Sequence, residues 1–116
     1  MATGFLTTSS VAWIMLLAAG LFEIVWAFSM KQSEGFTRLG PSAITLVAMI
    51  ASVALLALAM RTIPLGTAYA IWTGIGALGA FAVGILVLNE PASATRIAAA
   101  ALILSGLVLM KLSAAE

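Results

Sequence analysis

Glu23 stands alone in an uncharged run from Val11 to Met30. A carboxylate with no cation beside it can take up a proton or bind a positively charged solute, and it cannot comfortably hold both. At about 100° per residue, Leu16, Ala19, Gly20, Glu23, Trp26, Ala27 and Met30 share one helix face, so small residues and an indole N–H flank the carboxylate. A second constellation runs from Gly66 to Gly76 and puts Leu65, Gly66, Tyr69, Trp72, Thr73, Gly76 and Ala80 on one face. Tyr69 and Trp72 can wall a cation or hydrogen-bond a carboxylate, while Gly74, Gly76 and Gly79 weaken the helix enough for a hinge. The competing reading of such aromatics is a belt at the membrane surface, which suits Trp13 better. Ser52 falls on the repeat Thr45, Ser52, Ala59, placed either to donate to the acidic site or to pack.

The rest of the composition removes most other chemistry. Of 116 residues, 64% are hydrophobic and 8% charged, so most of the surface cannot face water and a soluble enzyme is excluded. With no Cys and no His, the usual metal ligands, thiol nucleophile and imidazole base are missing, and we expect no metal, no cofactor and no enzymatic activity. A net charge of +1 is far from the basic surplus of a nucleic-acid binder.

The elements that must position these groups lie between the charges. Apart from Glu23, the charged residues are Lys31, Glu34, Arg38, Arg61, Glu90, Arg96, Lys111 and Glu116, all at connections or in the tail, and Pro41, Pro64 and Pro91 mark the same places. Four apolar stretches remain: 11–30, 41–60, 65–89 and 92–110. Each is long enough to cross a hydrocarbon core of about 30 Å, the fourth only if Arg96 snorkels to the interface, since it otherwise reads as an interfacial helix. The first stretch lacks the basic flank of a secretory signal and is expected to stay in the protein. The short connections leave no room for a second domain, so residues 1–116 form a single four-helix transmembrane domain in the lipid bilayer.

Loops one and three then share one side with Lys31, Arg38 and Arg96, and Arg61 and Lys111 take the other. A bias of one positive charge barely specifies orientation, so either a dimer of oppositely oriented copies or an orientation fixed by other features fits. Glu23 lies roughly 18 Å into its span, near the midplane, where an ionised carboxylate costs about 2.5–3.5 kcal/mol. It therefore needs a proton or a cation; the alternative is a protonated Glu serving only as interhelical glue. The fourth span offers small residues, Ala99 and Gly106 among them, and fits a helix–helix seam used for dimerisation.

Lys31-x-Ser33-x-Gly35-Phe36-Thr37-Arg38 in the first loop, the Glu of the first span, and Pro64-x-Gly66-x-Ala68-Tyr69-Ala70-x-Trp72 resemble the small multidrug resistance family from about Trp13 to Leu112. Glu23-x-x-Trp26 resembles its guanidinium-exporter subtype, because the polyaromatic-drug exporters usually carry a small residue at the Trp26 position. The resemblance implies an all-α membrane protein of the bacterial inner membrane, forming an antiparallel, dual-topology homodimer in which two copies of Glu23 face one alternately exposed site. It implies that protons and substrate compete there, that the third helix switches access at Gly74 and Gly76, and that the site comprises Gly20, Glu23, Trp26, Ser52, Tyr69 and Trp72. Ala99 departs from the glycine common in the drug exporters' dimer seam.

Guanidinium suits such a site. It is planar, carries N–H groups around its rim, stays charged at physiological pH and cannot leak through lipid. Two carboxylates can accept forked N–H pairs from it, with Ser52 and Trp26 donating to the remaining lone pairs. Two rivals stand beside a proton-coupled guanidinium exporter. One is a broad quaternary-ammonium exporter using the aromatic surface of Tyr69 and Trp72; the other is a non-transporting membrane assembly or chaperone subunit.

Overall fold

The computed structural model of the chain describes residues 8–113, so the tail charge Glu116 lies outside the described residues. They form four helices, α1 (Thr8–Gln32), α2 (Leu39–Ala59), α3 (Leu65–Leu86) and α4 (Ala94–Ser113). All four are long and apolar enough to cross a membrane. The chain is thus all-α, with its spans where the uncharged runs lie.

The ends are set by local hydrogen bonding more than by hydropathy. After α1, Glu34, Gly35 and Phe36 adopt left-handed backbone with φ of 50°, 74° and 66°. The buried Ser33 clamps this turn: its Oγ donates to the Met30 carbonyl at 2.6 Å and accepts from the Phe36 N–H at 3.0 Å. Thr37 Oγ1 adds a bond to the Glu34 carbonyl at 2.8 Å. The first-loop motif is therefore a folded turn that reverses the chain between α1 and α2. Pro41 sits inside the first turn of α2, where a missing N–H costs nothing, and Pro64 immediately precedes α3.

Every helix end except the start of α3 lies one to three residues from the hydropathy reading, and two of these shifts have a visible hydrogen-bonding cause. The third span ends at Leu86, not Asn89, because the Leu88 and Glu90 N–H groups fold back onto the Gly84 carbonyl at 3.2 and 3.0 Å and Asn89 turns left-handed at φ 58°. The fourth begins at Ala94, not Ala92, because the Ser93 side chain accepts the Arg96 N–H at 3.2 Å as an N-cap does.

Packing is uneven. α1 is central and packs on both α2 and α3, whereas the backbone of α4 approaches only α3. The core consists largely of Ala12, Leu16 and Ala19 from α1, Leu56 and Ala59 from α2, and Ala68, Ile71 and Trp72 from α3. α2 turns Thr45, Ala48, Ser52, Leu56 and Ala59 inward, so the seven-residue repeat is its buried face. No residue of α4 is buried. Leu102 and Leu109 are 74% and 65% exposed, which leaves α4 an almost fully open apolar helix.

Candidate functional site

Four glycines let the helices close on one another around Glu23. A Cβ built on Gly20 would lie 2.6 Å from Cγ2 of Ile75, and one built on Gly79 would collide with Ile24. A Cβ on Gly76 would collide with the Glu23 carboxylate itself. The acidic side chain of α1 thus lies directly on the backbone of α3, in a slot only glycine leaves open. Two residues earlier, Gly74 takes Leu107 of α4 in the same manner. α3 runs as unbroken helix through both Gly74 and Gly76, so in this conformation these two residues act as points of close approach.

Around the carboxylate, Glu23 Oε1 and Trp26 Nε1 are both buried, and neither has a hydrogen-bond partner among the described residues. One is an acceptor and the other a donor, three residues apart on α1. Trp26 also packs against the core. A buried polar atom that goes unpaired costs about 1–3 kcal/mol, so two such atoms three residues apart on one helix mark a place built for something other than packing.

Ser52 does not donate to Glu23. Its Oγ donates to the main-chain carbonyl of Ala19 at 2.7 Å and accepts from Trp72 Nε1 at 2.9 Å. The hydroxyl proton is spent on α1 and a lone pair on α3, so Ser52 pins all three helices together one turn from Glu23. The expected pair of donors to the carboxylate, Ser52 and Trp26, is therefore absent from this arrangement. Trp72 is held rigidly by its bond to Ser52, and Tyr69 leans on it, with ring centroids 5.4 Å apart and planes at 52°. Tyr69 is half exposed and opens onto a groove between α3 and α4 that Thr73 and Gly106 also line.

The structure thus brings Glu23, Trp26 and Gly20 together on the α3-facing side of α1 and ties Ser52 to Trp72 behind them, with Tyr69 at the edge. Ala99 and Gly106 both lie on the exposed surface of α4, and a Cβ at Gly106 would meet nothing within 4 Å. Sequence reasoning missed two participants, the Ala19 carbonyl and Gly76 as the floor under Glu23. The first carries no side-chain signal; the second was visible as a glycine, but a glycine's spacing does not say which neighbour it admits.

A family profile described as Small Multidrug Resistance protein matches residues 11–103. Curated relatives include a protein of Citrobacter freundii that is 57% identical over 103 residues, covering 89% of this chain and 98% of the relative. One from Salmonella typhi is 57% identical over 104 residues, covering 90% and 99%, and one from Yersinia pseudotuberculosis is 57% identical over 103 residues, covering 89% and 99%. Each of the three bears the name guanidinium exporter.

Proposed function

The chain belongs to the small multidrug resistance family, and from that membership we propose that it exports guanidinium in exchange for protons. Four spans and this family make it a multi-pass protein of the bacterial inner membrane. The relatives named as guanidinium exporters support the substrate, and the observation that carries the chemistry is the buried, unpartnered Glu23 oxygen with the unpartnered Trp26 N–H three residues along the same helix.

In this proposal two copies of Glu23, one from each protomer of an antiparallel dimer, face a single site. A guanidinium ion offers N–H groups in its plane to both carboxylates, which accept them as forked, charge-assisted hydrogen bonds. When the ion leaves, each carboxyl needs a proton to remain at membrane depth, because an ionised one without a counter-charge is costly there. Protons and guanidinium therefore occupy the same oxygens at different times, and that exclusion is the coupling. Trp26 Nε1 steadies the carboxylate as its acceptor load changes. Ser52 acts one step removed by holding Trp72, and hence Tyr69, as the wall of the site. α3 switches access by bending at Gly74 and Gly76, whose small size is also what lets Glu23 and Leu107 seat against it. α4 supplies the dimer contact through the face that bears Ala99 and Gly106.

The rival substrate class is a hydrophobic quaternary ammonium, which has no N–H for the carboxylates and would rely on Tyr69 and Trp72. Purified protein in liposomes loaded with a pH-sensitive dye separates the two. Proton movement on adding guanidinium, and little on adding a tetraalkylammonium, is the expected result. The reverse order would overturn the substrate assignment.

A further inference from the structure

A second carboxylate repeats the construction at Glu23. Just as a Cβ on Gly76 would strike Glu23, a Cβ on Gly84 would strike the carboxylate of Glu90. Gly76 and Gly84 lie eight residues apart on α3, two turns or roughly 12 Å along its axis. The Glu90 N–H also donates to the Gly84 carbonyl at 3.0 Å, which fixes the base of the side chain there. A cavity of about 330 Å³ lies between α1 and α3, and Glu90, Phe81 and Phe28 line it. Its walls continue the faces that meet at Glu23. Ala27 and Lys31 follow Glu23 at four-residue steps on α1, and Ala80 and Gly84 follow Gly76 likewise on α3.

A guanidinium group of the chain already contacts two of the residues that line this cavity. Arg96, from the first turn of α4, places Nη2 4.0 Å from Glu90 Oε1 and its Cζ 5.5 Å from the centre of the Phe81 ring. One carboxylate and one aromatic face form a minimal cradle for a planar cation. Both partners of the pair are nearly half exposed, so the bond is weak and open to exchange with a cation from solution. Lys31 lines the same cavity from α1.

We propose that Glu90 and Phe81 form a second guanidinium station at the loop end of the α1–α3 seam, covered by the side chain of Arg96 and occupied by the transported ion between water and Glu23. The choice of ligand rests on the export function proposed above. The cavity keeps the ion between two acidic points on one seam, and Arg96 keeps Glu90 neutralised when no substrate is there.

The test is a titration of guanidinium chloride, at ionic strength held constant with potassium chloride, into full-length protein in bicelles with isotope-labelled Phe and Trp rings. The Phe81 resonances are expected to shift saturably. Glu90→Gln should weaken that midpoint roughly fivefold and Arg96→Ala should tighten it about twofold, as expected for an exposed charge pair. The Trp26 indole response should persist in Glu90→Gln, which is a surface change that leaves the helices intact. A Phe81 resonance that does not shift saturably, or shifts identically in Glu90→Gln, would overturn the second station. A silent Trp26 with an intact Phe81 response would instead overturn the function proposed for Glu23 and leave this station standing.

Discussion

Gly76 and Gly106 are both glycines in the middle of apolar helices, yet a Cβ at the first would run into Glu23 and a Cβ at the second would meet nothing within 4 Å. The same contrast holds for the whole of α3 against α4. α3 buries six residues, four of them Gly or Ala, while α4 buries none. In a membrane, apolar surface gains nothing by leaving lipid, so tight association has to come from close packing and interhelical hydrogen bonds. The α1–α2–α3 unit has both, in the slots at Gly20, Gly76 and Gly79 and in the Trp72–Ser52–Ala19 chain. α4 meets α3 mainly through Leu107 on Gly74, and reaches α1 through Lys111, whose Nζ lies 4.5 Å above the Trp13 ring. The proposed site lies where the packing is closest, and the loosely held helix is left with an open apolar surface.

The sharpest way to break this contrast is to fill the slot under the carboxylate. Gly76→Val is expected to destabilise the fold by about 3 kcal/mol by overpacking and to stop transport, whereas Gly106→Val should change the packing within a protomer by about 0.5 kcal/mol or less and act instead on association with a second copy. Helical circular dichroism during unfolding in dodecyl sulfate reads both. Next comes Ser52→Ala, which leaves the Trp72 N–H buried without an acceptor at a cost of about 2 kcal/mol. Adding Trp72→Phe to it should cost less than the sum of the single changes, and a strictly additive pair would mean the bond does not join the helices. In the first loop, Gly35→Ala must hold a left-handed φ of 74° and should lose about 1 kcal/mol. The smallest effect belongs to α4, where Leu104→Ala should leave the same unfolding curve within about 0.5 kcal/mol of wild type.

The four spans were legible because charge is so scarce that each connection announces itself, and Glu23 was legible as the one exception. The face Ala19, Gly20, Glu23, Trp26 also follows from helical spacing alone. The helix ends at Leu86 and Ala94 were not, since they depend on which main-chain groups the Gly84 carbonyl and the Ser93 hydroxyl satisfy. Ser93 preceding a helix was an available capping signal that hydropathy overlooks. The role of Ser52 was misjudged for a related reason. A hydroxyl one layer from a carboxylate suggests a donor to it, but the nearer acceptor is a main-chain carbonyl on the same helix, which no residue type reveals. Gly76 was recognised as special, and a glycine kept for flexibility is indistinguishable from one kept for closeness until its neighbour is known.

Glu23→Gln puts the central claim at greatest risk, because the amide keeps the size of the side chain while removing both the charge and the titration. In dye-loaded liposomes bearing an imposed guanidinium gradient, wild-type protein should drive protons against the guanidinium flow, and Glu23→Gln should fall to the rate of protein-free liposomes while still folding and dimerising. Proton movement by Glu23→Gln at the wild-type rate would contradict the account, since the carboxylate would then carry neither ion.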